Sequence, residues 1–301
     1  MEYYLGPLCK LRDWIPIEKL KFYNLSNNIN AISILEKNMN KINWRLLSRN
    51  PNAISILEKN MDKIYWDYLV LNPNAIHILE QKPDKINWDF ISSNPSAIDL
   101  LEKNMDKINW EWLSENPNAI HLLKRFPEKI VWNSLINNPN PEAIQLLEPN
   151  MAKINRYAVH CLSENPGAIH FLEKNMNKIH WDNLSSNPNA IKLLEQNMDK
   201  IDWVYLSSNP NAIHLLEQNM DKVDWEYLSL NPNAFHLLEK NLEKIDWYML
   251  ADNPSIFEYD WVAMRNRINV FKEELVAKQF HPKNMAKFVS WGFEEFEDLE
   301  F

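Results

Sequence analysis

The chain has 301 residues, a formal net charge of -9 and two cysteines. This acid excess argues against a nucleic-acid partner, since phosphate contacts need clustered Lys and Arg. Cys9 and Cys161 lack the paired spacing of a disulfide framework or metal site, which fits a reducing compartment. No apolar run approaches the roughly 18 residues of a membrane span, and Met1–Leu8 has no basic segment leading into an apolar core. A soluble, intracellular chain without signal peptide or membrane partner is expected.

Residues 1–18 read as an N-terminal cap, and the chain then repeats itself. One slot is filled by Phe22, Trp44, Trp66, Trp88, Trp110, Trp132, Arg156, Trp181, Trp203, Trp225 and Trp247. The spacing is 22 residues, except for 24 before Arg156 and 25 after it. A lysine precedes each slot by three residues, from Lys19 to Lys244. Self-similarity at such a period means a stacked array in which each unit buries surface against its neighbours.

In the repeat Asn209–Leu230, Asn209 and Pro210 suit a helix start. Ala212, Ile213, Leu215 and Leu216 share one arc of the helical wheel, which predicts an amphipathic helix of about ten residues. Asn219 is a candidate left-handed terminator. Asp224 then caps a second short helix beginning near Trp225, with Trp225 and Leu228 on one face. Helices this short are unstable alone, so stability must come from stacking, with the Trp/Leu pair and the Ala-Ile-x-Leu-Leu set as core. The Asn-Pro column from Asn50 to Asn253 should cap helices, and its side chains invite a ladder between turns. Each lysine should lay its stem over a tryptophan or pair with a nearby carboxylate.

Three features are candidates for function. His77, His121, His170, His214 and His236 recur four residues after proline, but on the solvent side, where ligands for zinc would not converge. Two residues after the Trp slot, Tyr68, Phe90, Trp112, Tyr205 and Tyr227 form an aromatic column, the best candidate for gripping a protein partner along one face. The irregular stretch 138–165 contains Pro141, Arg156 in place of tryptophan, and His160 beside Cys161. A register break bending the array is expected there, with Arg156 added to the partner-binding set and catalysis disfavoured for want of an orienting group. No phosphate loop, metal motif or nucleophile elbow occurs, so no catalytic, cofactor or metal residue is assigned.

After Pro254 the period ends. Trp261–Lys278 reads as an amphipathic helix with Met264, Ile268, Phe271 and Leu275 apolar. Asn284–Trp291 reads as another helix, and Glu294–Phe301 as an acidic tail. The organisation is therefore a cap at 1–18, repeats at 19–254 irregular at 138–165, and a C-terminal cap and tail at 255–301.

The iterated Asn-Pro-Asn-Ala-Ile-His-Leu-Leu-Glu-x-Asn-Met-Asp-Lys-Ile-Asp-Trp-x-x-Leu-Ser resembles the tandem repeat families of giant DNA viruses. So do the leading Leu11-Arg-Asp-Trp-Ile-Pro-Ile-Glu-Lys-Leu20 and the closing Phe271-Lys-Glu-Glu-Leu and His281-Pro-Lys-Asn. The likeness covers about Leu11 to Phe293. A looser likeness to leucine-rich-repeat-variant solenoids implies an all-α, right-handed solenoid of about ten repeats. Together these readings make the chain a non-enzymatic scaffold for a host or viral protein partner in the infected cell. A structural virion component is the alternative, so host cytoplasm and virion are the two expected locations.

Overall fold

The computed structural model describes residues 9–155 and 158–279. Arg156, Tyr157 and everything expected beyond Gln279 lie outside the described residues. The chain forms two compact units, one being Leu11–Phe257 and the other comprising what precedes and follows it. Residues 11–18 and 255–257 fall within the same compact unit as the repeats.

The all-α solenoid reading holds for the repeats. Nearly every repeat has an α-helix such as Ile191–Glu195, a 3₁₀ turn such as Met198–Lys200, and a second α-helix such as Trp203–Ser208; in Asn209–Leu230 a plain turn replaces the 3₁₀ turn. We call the two α-helices the Leu-Leu helix and the Trp helix. The Leu-Leu helix is shorter than predicted and starts at Ile213, not at Asn209–Pro210. The Asn209 side-chain oxygen accepts from the Asn211 N–H, and the Asn209 carbonyl accepts from Ala212, so these residues close a turn. Nor is Asn219 left-handed: its φ is -136°, and its side-chain amide caps the helix by donating to the Leu215 carbonyl at 2.9 Å. An asparagine that caps through its side chain needs no glycine-like backbone.

Leu206, Ala212, Leu216 and Leu228 are fully buried, as the apolar arc requires. The tryptophans are not. All described members of the slot are half-buried, which corrects the expectation that the Trp/Leu pair lies wholly in the core. Leu, three residues on, fills the core, while the indole lies at the border where the next repeat's lysine covers its face. Lys222 Nζ lies 4.5 Å from the Trp203 ring centre, and Lys63 lies 4.8 Å from that of Trp44. The expected lysine stacking is thus real, and it runs from one repeat to the previous one. Trp110 instead meets Phe126 edge-on at 5.5 Å.

The asparagine ladder exists and is more complete than the Asn-Pro motif implied. The buried Asn209 side-chain amide donates to the carbonyls of Ser185 and Asn187 in the preceding repeat, both at 2.9 Å. Asn231 does the same to Ser207 and Asn209, and Asn253 to Ser229 and Asn231. The first rung is Asn28, which no proline follows. Its amide donates to the carbonyls of Ala251 and Asn253, at 3.0 and 2.9 Å.

Asn28 therefore stands to Asn253 as Asn50 stands to Asn28. Two further contacts repeat the equivalence. Asn30 donates to the Pro254 carbonyl as Asn52 does to Ile29, and Lys19 covers Trp247 as Lys41 covers Phe22. The first and last repeats are neighbours, and the Leu11–Phe257 unit is a closed ring. The sequence predicts a separate cap at each end of the array; here the first and last repeats satisfy each other.

The stretch 138–165 does not break register. Asn165 donates to the Ile136 and Asn138 carbonyls, spans of 29 and 27 residues in place of the usual 24 and 22. Two of the five extra residues are absorbed where Asn140 caps the helix Pro141–Leu147, which starts at proline, and the other three fall between position 156 and the rung at Asn165. Gly167 replaces the usual asparagine because a Cβ there would meet the Pro139 carbonyl oxygen at 2.9 Å.

In the other unit, the helix Trp261–Gln279 matches its predicted span. The expected apolar stripe is only partly covered, since Ile268 is 59% exposed. The Phe271 and Leu275 side chains lie outside the described residues. Strands Cys9–Leu11 and Phe257–Tyr259 pair in a small sheet.

Candidate functional site: the exposed face of the Trp helices

Successive Trp helices lie close together. Trp181–Ser186, Trp203–Ser208 and Trp225–Leu230 bring several Cα atoms within 8 Å of the next helix, while the Leu-Leu helices of the same repeats stand further apart. In a closed ring the spacing of equivalent points grows with distance from the axis. The Trp helices are therefore the inner layer.

Most Trp helices are anchored by a polar cap, a serine or both, although Tyr65, Val131 and His180 give no side-chain cap and Val70, Ile136 and Ala251 replace the serine. Asp224 accepts from the Tyr227 N–H, as predicted, and Asn109 accepts from Glu111 and Trp112. The buried Ser207 hydroxyl donates to the Trp203 carbonyl at 2.7 Å and accepts from the Asp224 N–H at 3.0 Å, tying one Trp helix to the start of the next. With Leu and Ser three and four residues after the slot turned inward, the positions one and two after it face outward.

The aromatic column lies there. Trp112 and Tyr205 are 36% and 39% exposed, and Tyr68, Phe90 and Tyr227 are half-buried. Phe90 meets Trp112 edge-to-face at 5.7 Å, and Tyr205 meets Tyr227 in the same manner at 6.0 Å. These contacts link consecutive repeats, so the column packs along the ring and still presents ring surface. Tyr68 is covered differently: the Arg45 guanidinium of the preceding repeat sits 4.5 Å above its ring. Arg156, the sixth sequence candidate, lies outside the described residues.

Sequence reading missed the position just before the aromatic. Asp67, Asp89, Glu111, Asp182 and Glu226 occupy it, all exposed. The amides of Asn87 and Asn109 donate to Asp67 and Asp89. From repeat to repeat between residues 65 and 249, the positions one before, one after and two after the slot contain no Lys or Arg. A count of charge by column, not by chain, would have shown this.

The remaining candidates are poorer. Four of the five histidines pair with the previous repeat's glutamate, as His214 with Glu195 and His236 with Glu217, both at 2.8 Å, while His170 meets Glu173 of its own helix at 3.6 Å. Among the described residues no group of three or more His, Cys, Asp or Glu is placed to hold a metal ion. His160 stacks on His180 at 4.9 Å, and Cys161 is exposed. A shallow open groove runs over Pro188–Lys192 and Pro210–Ile213 with polar and aliphatic walls. No described helix is long and apolar enough to cross a membrane.

Fold and site define a helical-repeat protein whose array closes on itself and whose inner helices expose rings and carboxylates. The chain matches no family model, no curated protein and no solved structure.

Proposed function

We propose that the protein is a non-enzymatic scaffold that binds a protein partner on the exposed face of its Trp helices. The observation that carries this reading is the pair of inter-repeat aromatic contacts, Phe90–Trp112 and Tyr205–Tyr227. They hold large apolar rings rigidly at the surface, and partly exposed aromatics on a fixed backbone are common binding anchors. The repeat sequence further supports an origin in a giant DNA virus, with the partner drawn from the infected cell or from the virus itself. A virion building block is less favoured, because every ladder rung is already satisfied within the ring and none is left to recruit further copies by repeat stacking.

The test replaces Tyr68, Phe90, Trp112, Tyr205 and Tyr227 together by alanine. Thermal melting should show that the ring still folds, and affinity capture from infected cells should then lose its specific partners. Capture that proceeds unchanged with the folded variant refutes the surface assignment.

A further inference from the structure

The sign of charge and one internal contact narrow the partner's chemistry, given the binding surface proposed above. Asp67, Asp89, Glu111, Asp182 and Glu226 form no ion pair with a cation among the described residues. The acidic caps Asp202, Asp224 and Asp246 form none either, and Glu58, Glu102, Glu195 and Glu217 on the Leu-Leu helices each meet a histidine. Between residues 65 and 249 the positions flanking the slot thus carry eight carboxylates and no Lys or Arg, whereas the Leu-Leu helices and the turns after them carry lysines among their carboxylates, so net negative charge gathers on the inner helices. Like charges held at repeat spacing raise one another's energy, and a cation laid along them relieves that repulsion.

Arg45 shows which cation. It occupies the position one after the slot and lays its guanidinium over Tyr68, two after the slot in the next repeat. At three later junctions a carboxylate takes the arginine's place while an aromatic stays. By repeat equivalence, Asp67 stands to Phe90, Asp89 to Trp112 and Asp182 to Tyr205 as Arg45 stands to Tyr68. Each pair offers a ring for a guanidinium to stack on and a carboxylate beside it to accept its N–H groups. A planar, weakly hydrated guanidinium uses both features, whereas an ammonium uses mainly the charge.

We infer that the Trp-helix face takes an arginine-rich, extended segment of the partner protein, with arginines seated between one repeat's carboxylate and the next repeat's aromatic. The repeat spacing supplies successive seats, so affinity comes from several modest contacts along one strand.

The experiment is fluorescence anisotropy with labelled nona-arginine, nona-lysine and nona-glutamate peptides on the full chain. Nona-arginine should bind at least about tenfold more tightly than nona-lysine, since stacking adds to charge. Nona-glutamate should not bind. The variant D67N/D89N/D182N should weaken nona-arginine binding by about tenfold or more and flatten its salt dependence. The variant F90A/W112A/Y205A should erase the preference for arginine over lysine. Equal binding of the two cationic peptides, unaffected by the aromatic substitutions, would overturn the inference, as would no binding at low salt. The partner captured from infected cells separates this from the broader reading. If the five-alanine variant loses that partner and D67N/D89N/D182N keeps it, the surface stands and the arginine-rich class is wrong.

Discussion

Two junctions in the ring make the same ladder bonds by different routes. At Asn187–Asn209 the partners are 22 residues apart, and at Asn28–Asn253 they are 225 apart. Closing the longer loop costs about 2 kcal/mol more by chain entropy alone. The internal junction adds the serine stitch from Ser185 to the Asp202 N–H. At the seam Ala251 stands where that serine would be. The seam has its own clasp: Asn24 donates to Asp252 at 2.8 Å, and the Arg12 side chain and N–H donate to the Ser255 and Ile256 carbonyls. Arg12 also covers the Phe235 ring at 4.2 Å. A repeat array can thus close when its curvature returns it to its start, provided that the last junction has polar contacts of its own.

The largest expected effect separates the two junctions. Asn209→Ala removes two buried amide bonds and the turn bond of its oxygen, and should cost about 2–3 kcal/mol in chemical denaturation. Asn28→Ala loses the same local bonds but leaves the other junctions stacked. Its hydrogen exchange should quicken around Asn28–Ala31 and Ala251–Ile256 while the Asn187–Asn231 turns stay protected. Equal protection loss all round the ring would contradict a separable seam.

Gly167→Ala comes next. Its methyl group would press on the Pro139 carbonyl, and a loss of about 1–3 kcal/mol is expected, seen as a lower melting temperature. A neutral result would mean that the 138–165 segment shifts freely. Ala251→Ser goes the other way. The new hydroxyl should accept from the Lys21 N–H and stabilise the ring by about 0.5–1 kcal/mol, measured by the denaturant midpoint. The smallest effect is that of the lysine cover. Lys19→Ala at the seam and Lys222→Ala inside should each cost about 0.5–1 kcal/mol and alter tryptophan emission. A larger loss for Lys19→Ala would show that the seam is the weaker junction.

Much of the repeat was legible in the sequence. The apolar arc around Leu215 and Leu216, the Asp224 cap and the lysine over tryptophan all follow from spacing and side-chain chemistry. The full length of the Leu-Leu helix was not, because Asn209 can serve equally as a helix cap or as a turn former. The half-buried indoles were not legible either: periodicity marks a shared face without saying how far it is covered. The aromatic column is legible from its position two residues after the slot, while the carboxylates beside it are not, because a lone surface carboxylate in one repeat is ordinary and only the column carries the signal.

The period, the helical class and the identity of the stacking residues were set by the sequence itself, since each depends on neighbours within one repeat or the next. Closure was decided only in three dimensions. Each junction contributes a small rotation that no single 22-residue unit reveals, and whether the rotations sum to a full turn depends on all of them together. The same sum places the Trp helices nearer the axis, which gathers scattered carboxylates and rings onto one inner layer.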